Sequence, residues 1–175
     1  MNHKLLIVLV VVIVAAAGGI GAYMMLNPGS DELKDDVEAG DYFEVRTTMD
    51  IDGKTVESTS RHTVVSVDGD IVTVKTVTDG MELPIPLVMT KSEFLANISG
   101  EYPDITEYED AEYEKLYNSS TPFGNRTTVT YKIFIGDDDY KYITMSDKTG
   151  IIYETGSHID RTTTVNTLVG TNMFR

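Results

Sequence analysis

Residues 42–51 alternate in character. Phe43, Val45, Met49 and Ile51 fall on one side of an extended chain, and Tyr42, Glu44, Arg46 and Asp50 on the other. Successive side chains of a strand point to opposite faces, so this stretch predicts a half-buried strand. Asp52-Gly53 comes next. A two-residue type I′ hairpin needs positive φ at both centres, which Asp and Gly tolerate. The return strand is predicted from Lys54 to Val67, and adjacent Val64 and Val65 break its period and predict a bulge. Asp68-Gly69-Asp70 then turns the chain into the β-branched run IVTVKTV, which ends at a further turn signal, Asp79-Gly80. The run MELPIPLVM contains Pro84 and Pro86. Proline donates no hydrogen bond, so this run predicts an edge or irregular strand.

Thr90-Lys91-Ser92-Glu93 is a capping box, and Phe94, Leu95 and Ile98 recur at helical spacing, which predicts a short helix over 91–98, closed by Gly100. Residues 101–121 are acidic and tyrosine-rich, and the segment from Glu107 to Tyr117 reads as partly helical. Strands resume at Asn125, where TTVTYKIFI sets Val129, Tyr131, Ile133 and Ile135 on one face. YKYITM and IIYET follow, then a last strand from about Ile159 to Val169, with Val165 and Val169 on one face. Turn signals roughly every 8–12 residues predict a mainly β, antiparallel fold: a curved sheet, sandwich or barrel of about seven or eight strands. One short helix sits in the middle, in a helical and acidic insert over 90–121.

One stretch follows neither period. From Leu5 to Leu26 there are 22 residues without a charge. At ~1.5 Å per residue a helix of that length spans about 33 Å, the thickness of a bilayer's hydrocarbon core. Lys4 precedes it, and Asp31, Glu32, Asp35, Asp36 and Glu38 follow with only Lys34 in opposition. The positive-inside rule then predicts residues 1–4 in the cytoplasm, a signal anchor over 5–26, an acidic tether over 27–40 and an extracytoplasmic domain over 41–175. Ala15-Ala16-Ala17 offers a cleavage pattern, so secretion after processing is the alternative. Gly18 and Ala22 form a small-xxx-small pair that permits close helix approach.

Composition narrows the partners. The chain holds 28 acids against 14 Lys and Arg, a formal net charge of −14. That balance excludes nucleic acid as a partner, because phosphates require cationic side chains, and it disfavours anionic lipid. No cysteine is present, so the ectodomain must hold together through its core alone. The expected partners are membrane lipid through residues 5–26, and an envelope protein or a small ligand for the domain.

The layout of a lone basic residue, an apolar anchor and an acidic tether, followed by AGDYFEVRTTMDIDG and later SDKTGIIYETG, resembles small membrane-anchored, β-rich surface proteins of archaea. The resemblance implies a location and a general architecture. It brings no site residue with it.

No catalytic set stands out. GSHID places Ser157, His158 and Asp160 close in sequence, but in a strand Ser157 faces away from the other two. The zinc spacings are absent. Asp137, Asp138 and Asp139 are the first choice for a calcium site, although hairpin turns demand the same residues. Three sequons place candidate glycans on Asn97, Asn118 and Asn125, with Asn118 in an expected loop. EYPDITEYEDAEYE, residues 101–114, offers Tyr102, Tyr108 and Tyr113 as anchors for a partner, with the acids steering a basic surface toward them. The expected function is therefore a non-catalytic, membrane-anchored extracytoplasmic domain with a binding or envelope role. The alternatives are a hydrolase with paired carboxylates, glycosidase-like, and a subunit of an envelope assembly.

Overall fold

The computed structural model describes residues 33–34, 36–103 and 111–174. The predicted anchor, residues 5–26, lies outside them. No helix among the described residues is long and apolar enough to cross a membrane.

Among the described residues ten strands form one antiparallel sheet: β1 (Tyr42–Ile51), β2 (Lys54–Asp68), β3 (Ile71–Thr78), β4 (Met81–Glu82), β5 (Leu87–Thr90), β6 (Ala111–Thr121), β7 (Gly124–Phe134), β8 (Tyr140–Ser146), β9 (Ile152–Ile159) and β10 (Thr162–Thr171). Their spatial order is β4-β3-β2-β1-β10-β9-β8-β7-β6, with β5 also on β3. The sheet is open: its two ends, β4/β5 and β6, do not pair with each other. Two of the ten strands exceed the expected number for identifiable reasons. The prolines split MELPIPLVM into β4 and β5, which both pair with β3 at the edge. The other is β6, in a stretch read as partly helical. It is extended instead, because it hydrogen-bonds along β7 from Ala111 to Thr121. Long-range pairing outweighs the helical preference of its glutamates.

The hairpin signals act as the residues dictate. Asp52 and Gly53 both take positive φ, as do Asp79 and Gly80. The register of β2 on β3 shifts between Val64 and Ser66, so Val64 is buried while Val65 is exposed. In the last strand the core residue is Leu168, opposite Val45, whereas Val165 and Val169 are half-buried. A register shift at Glu44/Val45 changes the parity that the bare alternation assumed.

Helix α1 (Lys91–Leu95) starts with its capping box intact: Glu93 N–H donates to Thr90 Oγ1 at 3.1 Å, and Thr90 N–H donates to Glu93 Oε2 at 2.7 Å. It is shorter than the predicted 91–98. The Asn97 amide caps the carbonyls of Glu93 and Phe94, and the chain leaves the helix so that Ile98 C=O accepts from Ile152 N–H. Gly100 then donates to Gly150 C=O at 2.9 Å. At Gly150, φ is +67° and an added Cβ would meet the Gly100 carbonyl oxygen, so only glycine permits this approach.

This segment explains the curvature. Lys91 N–H bonds Asp70 C=O beside β3, and Ile98 reaches β9. Between those strands lie four strand spacings, about 19 Å across a flat sheet. A short helix and a turn reach less than that, so the sheet curls around them. Its inner face carries Phe43, Val64, Val72, Val74, Tyr153 and Leu168 against Phe94, Leu95 and Ile98, all buried in one cluster.

Leu33, Val37 and Met173 belong to the same cluster. Lys34 N–H donates to Met173 C=O, Asn172 bonds both Gly40 and Tyr42, and the buried Asp41 carboxylate takes Lys34 Nζ and Glu38 N–H. Residues 27–40 do not form a tether throughout. From Leu33 onward the chain packs on the domain, because Leu33 and Val37 bury apolar surface that the acidic composition hides.

Candidate binding surface

The far side of the sheet, β6 to β9, has a different surface. Tyr113 on β6 lies opposite Tyr131 on β7, with ring centroids 5.3 Å apart. Tyr102, arriving after the Gly100–Gly150 junction, also packs on Tyr131, with ring centroids 6.2 Å apart. Its hydroxyl donates to Ser146 C=O at 2.8 Å. Three rings thus form one cluster at the sheet edge. Tyr102 and Tyr113 remain 42% and 50% exposed. Partial burial raises the pKa of Tyr102 and of Tyr131, so both are neutral donors at physiological pH. Lys115 borders the cluster and pairs with Asp147 at 2.6 Å, which raises its own pKa.

Strand β6 ends the sheet, so among the described residues its outer backbone row has no strand partner. Along it, Ala111, Tyr113 and Lys115 share the inner face, and Glu112 and Glu114 the outer. Leu116 and Tyr117 are exposed, Tyr117 to 74%. The edge therefore offers backbone donors and acceptors, aromatic rings on one side and carboxylates on the other.

Of the three tyrosines the sequence singled out, Tyr102 and Tyr113 meet here, and Tyr108 lies outside the described residues. Tyr131, the ring that joins them, is in the sequence pattern only one of the residues that share a face with Val129 and Ile133. Finding it from sequence required the β6–β7 register.

The remaining candidates sit elsewhere. Asp137, Asp138 and Asp139 occupy the β7–β8 turn, where Asp139 Oδ1 accepts from Asp160 N–H at 2.8 Å. Among the described residues no three His, Asp or Glu side chains gather to hold a metal. Asn97 is exposed, but its amide nitrogen caps α1. Asn118 lies in β6, at the register shift between Leu116 and Ser119, and not in a loop; Asn125 lies in β7.

The two described histidines are separated. His62 stacks on Phe43 at 4.6 Å, and burial holds its pKa down to about 4. His158 stacks on Tyr140 at 5.6 Å and bonds Thr163 Oγ1. Ser157 pairs with Thr164 and His158 with Thr163, so the two point to opposite faces of β9. On the outer face of β8–β9, Tyr142 lies over Gly156 and donates to Glu154 at 2.8 Å; burial first, then this bond, raises its pKa.

No known family matches the chain, and neither does any curated protein. Among solved structures it is similar to a Bacteroides fragilis protein described as a "putative exported protein with YmcC-like fold". The two are 12% identical over 81% of this chain and 99% of that one, with a TM-score of 0.38. A likeness at that level says nothing about activity.

Proposed function

We propose that the chain is a non-catalytic binding module, held on the outer side of a membrane by residues 5–26, which takes an extended segment of an envelope partner along β6. The observation that carries this reading is the meeting of Tyr102 and Tyr113 on Tyr131, half-exposed, at an eleven-residue edge strand. Strand addition draws its affinity from main-chain hydrogen bonds and its specificity from alternate side chains. Here the inner-face rings provide an apolar contact for a partner side chain. Glu114 on the outer face, beside the Glu112–Lys132 pair, selects Lys or Arg.

A photo-crosslinking residue at Tyr113 or Tyr117, in the full-length protein in native membranes, tests it. The same protein partner should appear at both positions and be absent when the crosslinker replaces Thr59, in the middle of β2. No adduct, or the same adducts at Thr59, rejects the reading.

A further inference from the structure

At the opposite edge the sheet turns apolar side chains to solvent. Ile85 is 75% exposed and Val88 68%; Ile71 shares the outer face with Val88, Leu87 is exposed on the opposite face of β5, and Met81 is exposed further along the edge, opposite Thr78. These residues wrap the β3–β5 edge and the loop between β4 and β5. A cluster of exposed large apolar residues at one place marks a contact surface. Pro84 and Pro86 interrupt the backbone donors of this edge, which disfavours the strand addition available at β6. The occupant must therefore gain from apolar contact without needing a hydrogen-bonded register.

The route of the chain points to that occupant. Lys91, which follows β5, pairs with Asp36 at 2.7 Å, and Thr90 lies opposite Ile71. The segment beginning at Leu33 thus enters the domain beside this same edge. Only residues 27–32 separate Leu33 from the uncharged run that ends at Leu26. Six residues reach about 20 Å at full extension. A domain held that closely must face the bilayer with the elements near Leu33.

We propose that the β3–β5 edge rests on the membrane surface, with Ile85 and Val88 in the interfacial layer. This rests on the reading of residues 5–26 as an anchor. The lipid is zwitterionic: Lys75 is paired with Glu82 and Lys91 with Asp36, while Asp68, Asp70 and Asp79 flank the patch, so among the described residues the edge strands β3 and β5 and the start of α1 carry no free cation for an anionic headgroup. The interface is where short apolar side chains insert while nearby charges stay wet.

The absence of cysteine makes the test clean. Ile85→Cys, Val88→Cys and, as control, Asp138→Cys are made in the full-length protein. Each is labelled with an environment-sensitive fluorophore and reconstituted in phosphatidylcholine vesicles containing a spin-labelled phosphatidylcholine quencher. Quenching of at least twofold at positions 85 and 88, with none at 138, is the expected result. If the protein floats with the vesicles but positions 85 and 88 remain as unquenched as 138, the orientation is wrong and the anchor stands. A label shielded from water yet unquenched by lipid means a protein contact and overturns the proposal. Failure to float removes the anchor itself, and this inference with it.

Discussion

The two halves of the sheet solve different problems with similar strands. In β3 the burial alternates almost perfectly, with Val72, Val74, Thr76 and Thr78 inward. In β9 and β10 nearly every residue is half-buried on both faces. The first half has α1 to cover it, so its inner face is buried: Val64, Val72 and Val74 pack with Phe43 against Phe94 and Leu95. Along β7–β8, beside the buried Val129 and Met145, half-buried tyrosines line both faces: Tyr131 inside, Tyr140 and Tyr142 outside. A tyrosine buries a ring and keeps a hydroxyl wet, which suits a surface that is neither core nor solvent. The difference sets a helix-covered core in the first half and a tyrosine-lined surface in the far half.

The largest expected effect tests the helix-covered core. Phe94 is fully buried and lies 5.2 Å from Phe43. Phe94→Ala should cost about 3–5 kcal/mol in denaturant unfolding, as deletions of buried aromatics do. A loss below about 1 kcal/mol would remove α1 as the centre of stability.

Acid should weaken the same half. His62 titrates near 4 when folded and near 6.5 when unfolded. Above pH 6.5 it is neutral in both states and contributes nothing to the pH dependence. Between 6.5 and 4 only the unfolded chain takes the proton, so stability falls as pH drops, by about 3 kcal/mol in all. His62→Gln should flatten that part of the stability–pH curve. An unchanged slope would place its origin elsewhere.

In the far half, a Cβ on Gly156 would overlap Tyr142 Cε1. Gly156→Ala should displace the ring, break its bond to Glu154, and cost about 1–3 kcal/mol. Combined with Tyr142→Ala, the cost of the clash should disappear, a coupling that a double-mutant cycle reads directly. Additive losses would show that the ring is not fixed there. The smallest effect is expected at Tyr113: its exposure predicts that Tyr113→Ala changes stability by no more than about 0.5 kcal/mol. A large loss would make the tyrosine cluster part of the core and weaken its role as a contact surface.

Much of the fold was legible in local chemistry. Asp52-Gly53 and Asp79-Gly80 specify their turns because few other residues accept positive φ. The adjacent Val64 and Val65 announce a bulge. Pro84 and Pro86 announce an edge, and Thr90 with Glu93 announces the start of α1. Each rests on a single backbone requirement met by neighbouring residues. By itself, then, the sequence determined an antiparallel β protein with these turns and one capped helix, and it singled out three tyrosines, Tyr102, Tyr108 and Tyr113.

What the tertiary structure decided is everything that depends on partners distant in the chain. Ala111–Thr121 is a strand only because β7 is there to pair with it. Leu33 and Val37 join the core because Met173 and Phe174 return to meet them. Even the tyrosine cluster depends on one irregularity. Continued without a bulge from Thr121↔Gly124, the register would set Tyr113 against Lys132; the shift between Leu116 and Ser119 brings it to Tyr131. A strand has period two, so one extra residue exchanges the faces of all that follows, and local composition carries little trace of where that residue is taken up.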